Sequence, residues 1–242
     1  MIAERSIPHG TRVYVIGDLH GRSDLLSTML REIAARETVL PRARVIVVCL
    51  GDYVNRGTDT RGVLDLLVDP PIVVDQWVHL RGNHDQMLLD ALDGNRRAAA
   101  FLVEHGGRAT AASYGLRLPL SASEAIDAIL ARLPALVPER HRAFLRGTGL
   151  SFGLGDYFFC HAGVRPGVPL ARQSALDLLW IRDGFMDAEL RCEACIVHGH
   201  TPVDAIRLGP DRIAVDLGGY ATNRLGAVLL EGARQQGIEV AC

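Results

Sequence analysis

Lysine is absent from this chain of 242 residues: all 26 of its basic residues are arginine. That absence excludes every chemistry that turns on a lysine amine, from Walker-type phosphate binding and protein-kinase catalysis to Schiff-base formation. Any basic side chain that meets an anion here must present the planar guanidinium fork. Long apolar runs are missing too. The longest, such as 45–50, fall far short of the roughly 18 residues a membrane span requires, so no membrane partner is expected. Residues 1–10 contain no apolar stretch of the kind that precedes signal cleavage, which points to a cytoplasmic protein. A basic excess is also lacking: the formal net charge is -2, and without a basic footprint nucleic acid is not favoured as a partner. Of the five cysteines only Cys192 and Cys195 stand close together. One C-x-x-C cannot close a four-thiolate zinc site, so reduced, unpaired cysteines in a reducing compartment are expected.

What is present suffices for a full core, with 48% hydrophobic and 22% charged residues. The first 90 residues alternate strand-like and helix-like patterns at the spacing of βαβ units. Strands are predicted at 13–16, 44–50 and 76–80. One helix between them carries Leu25, Leu26, Met29, Leu30 and Ile33 on a single face, with Ser23 and Asp24 as N-cap candidates; another runs through Val63, Leu64, Leu66 and Leu67. From 86 the pattern is mostly helical, with a capping box at Ser121 and Glu124 and with Pro134 and Pro138 separating short helices. Strands return at 150–154 and 157–160, a hairpin about Gly155-Asp156, and at 196–198, 213–216 and 227–230. The expected fold class is therefore α/β: two packed, mainly mixed β-sheets flanked by helices, in a single domain over 1–242 with a helical cap insertion at about 86–147.

Five polar clusters stand at predicted strand ends: Gly17-Asp18-Leu19-His20-Gly21, Gly51-Asp52-Tyr53-Val54-Asn55-Arg56-Gly57, Gly82-Asn83-His84-Asp85, His161-Ala162-Gly163 and His198-Gly199-His200-Thr201. They supply oxygen and nitrogen donors and no thiolate, a set suited to Mn²⁺, Fe or Zn²⁺. Asp18 and His20 are two residues apart, so in extended backbone they face the same way and can share a metal. In open α/β sheets ligands bind at the carboxyl ends of strands, which draws the first three clusters to one site.

In order and spacing these clusters resemble the calcineurin-like metallophosphoesterases, and most closely the short bacterial form of the PPP-type serine/threonine protein phosphatases. The resemblance runs from about 14 to 230 and implies an αββα sandwich holding two divalent transition-metal ions, Mn²⁺ first, with Fe or Zn²⁺ as the other candidates. It implies that Asp18 and His20 hold one ion, that Asp52 bridges, and that Asn83, His161 and His200 hold the other. It further assigns His84 as general acid and Arg56 as half of a phosphate clamp. Leu179-Trp180-Ile181-Arg182 resembles the family's W-x-R segment and makes Arg182 the other half, with Arg165 the fallback. Asn83 joins the phosphate contacts. Two ions bridged by a hydroxide suit in-line attack on phosphorus, so hydrolysis of phosphoserine or phosphothreonine in proteins is the leading expectation.

The departure is Asn55, where the family has an aspartate paired with the acidic histidine. An amide can orient His84 but cannot stabilise its charged form as a carboxylate does. The symmetrical dinucleoside tetraphosphate hydrolases also lack that aspartate, which makes a small phosphorylated substrate the alternative; a non-catalytic metal-binding pseudophosphatase is the alternative of another class. A nuclease is disfavoured by Pro202, where a second histidine would stand. Asp85 is a weak candidate to replace the missing partner. His9, His79, His105 and His141 are expected to be structural, His198 structural or supporting, and Arg96 and Arg97 a solvated face. The stretch 104–114, with Gly106-Gly107, either lines the cleft or merely caps helices.

Overall fold

Val13 and Val15 point one way from their strand and Tyr14 and Ile16 the other, and all four are buried. A strand apolar on both faces needs cover on both. In the computed structural model, which describes residues 5–190 and 192–242, that cover is a second sheet on one side and helices on the other. The strands are β1 (Thr11–Ile16), β2 (Arg44–Cys49), β3 (Gln76–His79), β4 (Ser151–Leu154), β5 (Tyr157–Cys160), β6 (Cys195–His198), β7 (Arg207–Leu208), β8 (Arg212–Ala214), β9 (Arg224–Glu231) and β10 (Arg234–Ala241). The helices are α1 (Ser23–Val39), α2 (Thr60–Val68), α3 (Asn83–Leu92), α4 (Arg96–Glu104), α5 (Gly107–Ser113), α6 (Ala122–Leu136), α7 (Glu139–Arg146), α8 (Ala175–Trp180) and α9 (Gly219–Thr222).

The two sheets have five strands each, ordered β10-β9-β1-β2-β3 and β4-β5-β6-β8-β7. Both are mixed: β1, β2 and β3 run parallel while β9 and β10 are antiparallel. In the second sheet β5, β6 and β8 are parallel and the edges antiparallel. Val13, Val15, Ile46 and Val48 meet Phe159, Val197 and Ile213 between the sheets. Tyr14, Ile16, Val47 and Cys49 pack on the opposite face under α1, α2 and the helices from α3 to α7, so the 86–147 segment shares one core with the first sheet. This is the two-sheet, helix-flanked fold that the sequence indicates. Among the described residues no helix is long and apolar enough to cross a membrane. Residues 1–4, part of the 1–10 reading, lie outside the described residues, as does 191 within the predicted domain span.

Local details differ. Ser23 and Asp24 do not cap α1: the Ser23 hydroxyl donates to Asp59 at 2.5 Å and Asp24 pairs with Arg22 two residues before it, so other partners claim both side chains. Pro134 sits inside α6 instead of ending it, while Pro138 does precede α7. β7 and β10 have no apolar run to announce them, and β10 is a half-exposed edge strand.

Candidate metal centre

The carboxyl ends of six strands converge. Asp18 and His20 follow β1, Asp52 follows β2, and Asn83 and His84 open α3 after β3; His161 follows β5, His200 follows β6, and Asp216 follows β8. All eight side chains are buried. The local backbone is unusual: five of the six non-glycine residues with left-handed φ among the described residues are His20, Asp52, Asn55, Arg56 and His200. Such conformations persist where the surroundings enforce them, and they cluster at functional sites. Two glycines let the carboxylates in. A Cβ on Gly199 would collide with Asp18 Oδ1, and one on Gly82 with Asp52 Oδ1.

Donor atoms are aimed by hydrogen bonds behind them. His20 Nδ1 lies 2.8 Å from the Val54 carbonyl and His161 Nδ1 3.0 Å from that of Leu50. A carbonyl only accepts, so each ring carries its proton on Nδ1 and turns a bare Nε2 lone pair inward, the arrangement typical of metal-binding histidines. His200 differs: its Nε2 accepts the Nε–H of Arg182 at 3.0 Å, so the guanidinium engages that lone pair. His20 Nε2 is 3.4 Å from Asp52 Oδ2, and His161 Nε2 is 3.5 Å from Asp52 Oδ1 and 3.0 Å from Asn83 Oδ1. Two groups have all their ligand atoms within 4.8 Å of one another, His20-Asp52-His84 and Asp52-His161-His200, with Asp52 common to both. Asp18 lies alongside, accepting from the His200 N–H at 3.1 Å.

Electrostatics favour a cation here. Burial pushes Asp18 and Asp52 well above the usual carboxylate range, helped by Asp216 beside Asp18 and Asp85 beside Asp52. Burial lowers His20 and His161 to about 3 and His200 to about 2, so these imidazoles stay neutral. Neutral imidazoles with crowded carboxylates form a donor set that a divalent ion satisfies.

Asn55 lies against His84: its Nδ2 is 2.8 Å from His84 Nδ1, while its Oδ1 accepts from the Thr110 hydroxyl at 2.9 Å. With the oxygen engaged, the amide donates to the ring, and His84 carries its proton on Nε2, toward the cleft. Arg56 Nη2 is 3.4 Å from that nitrogen. Two such donors side by side share an acceptor rather than bond to each other. Burial first, then His20 and Arg56, hold His84 far below its ordinary value. Asp85 is turned away and replaces nothing: its carboxylate accepts from the N–H groups of Asp52, Tyr53 and Gly82, fixing the Asp52 loop.

Arg182 reaches the site through His200, whereas Arg165 is held by Asp177 outside it. His198 is buried and turns Nδ1 to the Gly199 carbonyl. Arg96 pairs with exposed Asp127. The 104–114 stretch does reach the cleft, through Gly106, whose carbonyl accepts from Arg56 N–H, and through Thr110. His105, expected to be structural, lines the cleft with Phe101 and Trp180. Tyr220, stacked 4.4 Å from the Arg56 guanidinium, and Asp216, in contact with Asp18, are further site residues that the clusters do not contain.

Fold and site together define a two-sheet sandwich with a buried cluster of His and Asp donors able to hold divalent metal. The family model described as calcineurin-like phosphoesterase matches residues 11–229, and the chain belongs to that family. It is 38% identical over 80 residues to serine/threonine-protein phosphatase 1 of Salmonella typhimurium, covering 33% of this chain and 32% of that protein. To the symmetrical bis(5'-nucleosyl)-tetraphosphatase of Acidovorax it is 31% identical over 160 residues, 64% of this chain and 44% of that one. The chain thus spans about a third of the length of the first curated relatives it matches. Among solved structures, one assigned provisionally as a diadenosine tetraphosphatase superposes with TM-score 0.66 at 21% identity, covering 94% of this chain and 93% of its own. The cold-active protein-tyrosine phosphatase of a psychrophilic Shewanella superposes with TM-score 0.62 at 18% identity, covering 98% and 83%.

Proposed function

We propose that this chain is a metal-dependent phosphomonoesterase, of the short bacterial PPP type, acting on phosphoserine and phosphothreonine in proteins. One observation carries the reading: Asp52 sets one carboxylate oxygen 3.4 Å from His20 Nε2 and the other 3.5 Å from His161 Nε2, beside a cleft that Arg56 and Arg182 line. Asp18, His20 and Asp52 would hold one divalent ion, and Asp52, Asn83, His161 and His200 the other. Bound there, two ions supply Lewis-acid charge and a water activated for attack on phosphorus. The family resemblance makes Mn²⁺ the first choice, and the oxygen and nitrogen donors suit Fe or Zn²⁺ as well.

The protein's own part is positioning. Arg56 and Arg182 offer planar N–H pairs to phosphoryl oxygens. His84 Nε2–H, beside Arg56, donates to the ester oxygen or to its neighbour. Thr110 and Asn55 hold that ring in place from behind. The chain acts as one domain, with the 86–147 segment capping the site and supplying Phe101, His105 and Thr110. Five unpaired cysteines suit a reducing compartment, the cytoplasm.

The second reading, symmetrical cleavage of dinucleoside tetraphosphates, is favoured by the longer alignment with the Acidovorax enzyme. One experiment tests both: Mn²⁺-loaded protein assayed against phosphoseryl peptides and diadenosine tetraphosphate side by side. Release of phosphate from the peptides is expected. Turnover of the dinucleotide alone would replace the first reading with the second, and turnover of neither would favour a non-catalytic metal-binding protein.

A further inference from the structure

Arg182 is the less secured half of the proposed clamp. Its Nε–H goes to His200 Nε2 at 3.0 Å and its Nη2 to the His200 carbonyl at 3.3 Å. A neutral imidazole has one acceptor nitrogen, so His200 Nε2 serves the guanidinium or a metal ion, not both. With an ion there, the bond to the carbonyl and the main chain are what remain to aim Arg182. The main chain has little regular support: α8 ends at Trp180, and among the described residues 181–194 form no helix or strand.

A fixed turn nevertheless follows Arg182. Its carbonyl accepts from the N–H groups of Phe185 at 3.2 Å and Met186 at 3.4 Å. Phe185 is fully buried and anchors the turn from inside. Its ring lies so close to Gly163 that a Cβ there would be 2.5 Å from it, and it stands at 80° to the His198 ring, 4.9 Å away. Gly163 and His198 belong to the clusters of His161 and His200, so Phe185 ties the turn to both histidine loops.

From the other side the turn is held by Arg212, which opens β8 and pairs with Ile196 of β6. The Arg212 guanidinium donates through Nη1 to the carbonyls of Phe185 and Met186 and through Nη2 to that of Ala188. It also lies 5.2 Å over the Phe185 ring. Burial lowers its pKa, with Asp211 and Asp187 opposing, as befits a half-buried group. Three carbonyls of a stretch without ladder bonds thus share one donor, and that donor is rooted in the second sheet. A planar fork suits the task, because its nitrogens meet several acceptors at fixed angles as a flexible ammonium does not.

The geometry points to Arg212 as a positioning residue: by gathering the carbonyls of Phe185, Met186 and Ala188 it fixes the turn that aims the Arg182 guanidinium at phosphate. This rests on the phosphate clamp proposed above. Arg212 is not among the residues lining the cleft, so its effect reaches phosphate through Arg182.

A double-mutant cycle on the Mn²⁺-loaded protein, read as inorganic phosphate binding by calorimetry, tests this. The four proteins are wild type, Arg182→Met, Arg212→Met and the double variant, each with its melting temperature and metal content measured. Arg182→Met should weaken phosphate by about ten- to a hundredfold, the worth of a hydrogen bond to a charged group. Arg212→Met should weaken it by about fivefold, the scale of coupling within one network, with metal content unchanged. In the Arg182→Met background it should weaken phosphate no further. A group that merely stabilised the fold would lower the melting temperature in both backgrounds and leave phosphate affinity alone. Wild-type affinity in Arg212→Met, or losses that multiply in the double variant, would overturn the assignment. Wild-type affinity in Arg182→Met would instead remove the clamp itself. Arg212→Lys keeps the charge without the fork and carries the same comparison where the methionine variant does not fold.

Discussion

The side-chain amide nitrogen of Asn55 sits 2.8 Å from His84 Nδ1, with the amide oxygen already taken by Thr110. An aspartate at 55 has no N–H to give, so it would accept from Nδ1 and favour the charged ring. Asn55→Asp is expected to raise kcat/KM on alkyl phosphomonoesters by about tenfold or more, within the range of general-acid effects. On a nitrophenyl ester, whose leaving group departs unaided, the change should be small. Equal effects on both substrates, or loss of activity, would show that His84 does not protonate the leaving group.

Asp52 is the residue common to both donor groups, so Asp52→Asn should lower metal content and activity together. Elemental analysis of saturated wild type should find two ions per chain, and of the variant fewer. One ion or none in active wild type would contradict the shared-carboxylate centre.

Arg182 holds His200 through two contacts and offers a guanidinium edge to the cleft. Lysine has one point charge and cannot reproduce paired N–H donors. Arg182→Lys should lose between about ten- and a hundredfold in kcat/KM, the worth of a hydrogen bond to a charged group, with an unchanged melting temperature because the side chain is largely exposed. Wild-type kcat/KM in a stable variant would remove it from the clamp.

Acid sensitivity has a source remote from the metal ligands. Burial lowers His79 to about 4, its Nε2 has no hydrogen-bond partner, and its ring lies between Trp77 and Phe144. The unfolded chain binds this proton near 6.5, so between pH 6.5 and 4 it holds more protons than the folded chain. Stability is therefore complete above about 6.5 and falls as the pH drops toward 4, by at most about 3 kcal/mol from this group. His79→Leu should flatten that part of a denaturation-versus-pH curve relative to wild type. Parallel curves for the two proteins would place the acid sensitivity elsewhere.

The sequence carries the polar half of the site openly and hides the aromatic half. Asp18, His20, Asp52, Asn83, His161 and His200 each sit in a short glycine-bearing cluster after an apolar run, because a sharp turn at a strand end needs both. Phe101, His105 and Trp180 have no such frame: the first two stack one helical turn apart at the end of α4, and only tertiary packing brings Trp180, the last residue of α8, to them. The double glycine at Gly106-Gly107 was the available signal, since Gly106 lies against the Arg56 backbone. Asp216 escaped because it is a single acid after a short strand. For the fold, the buried central strands announce themselves by unbroken apolar runs, whereas β10 is written in Gln235, Gln236 and Gly237, residues a half-solvated edge can carry.

The left-handed backbone at His20, Asp52, Asn55, Arg56 and His200 has a consequence for how this protein can change. Left-handed backbone costs a residue such as Arg56 about 1–2 kcal/mol, and Asn or Asp less, and glycine would relieve it. Those are the positions whose side chains the chemistry needs. Relaxing the backbone at 55 or 56 would give a hardier chain without its amide or its guanidinium, an example of the stability–activity trade-off. Descendants selected for heat tolerance must therefore gain their stability elsewhere, in the sheets and the helices that cover them, and inherit this strained ring of loops unaltered.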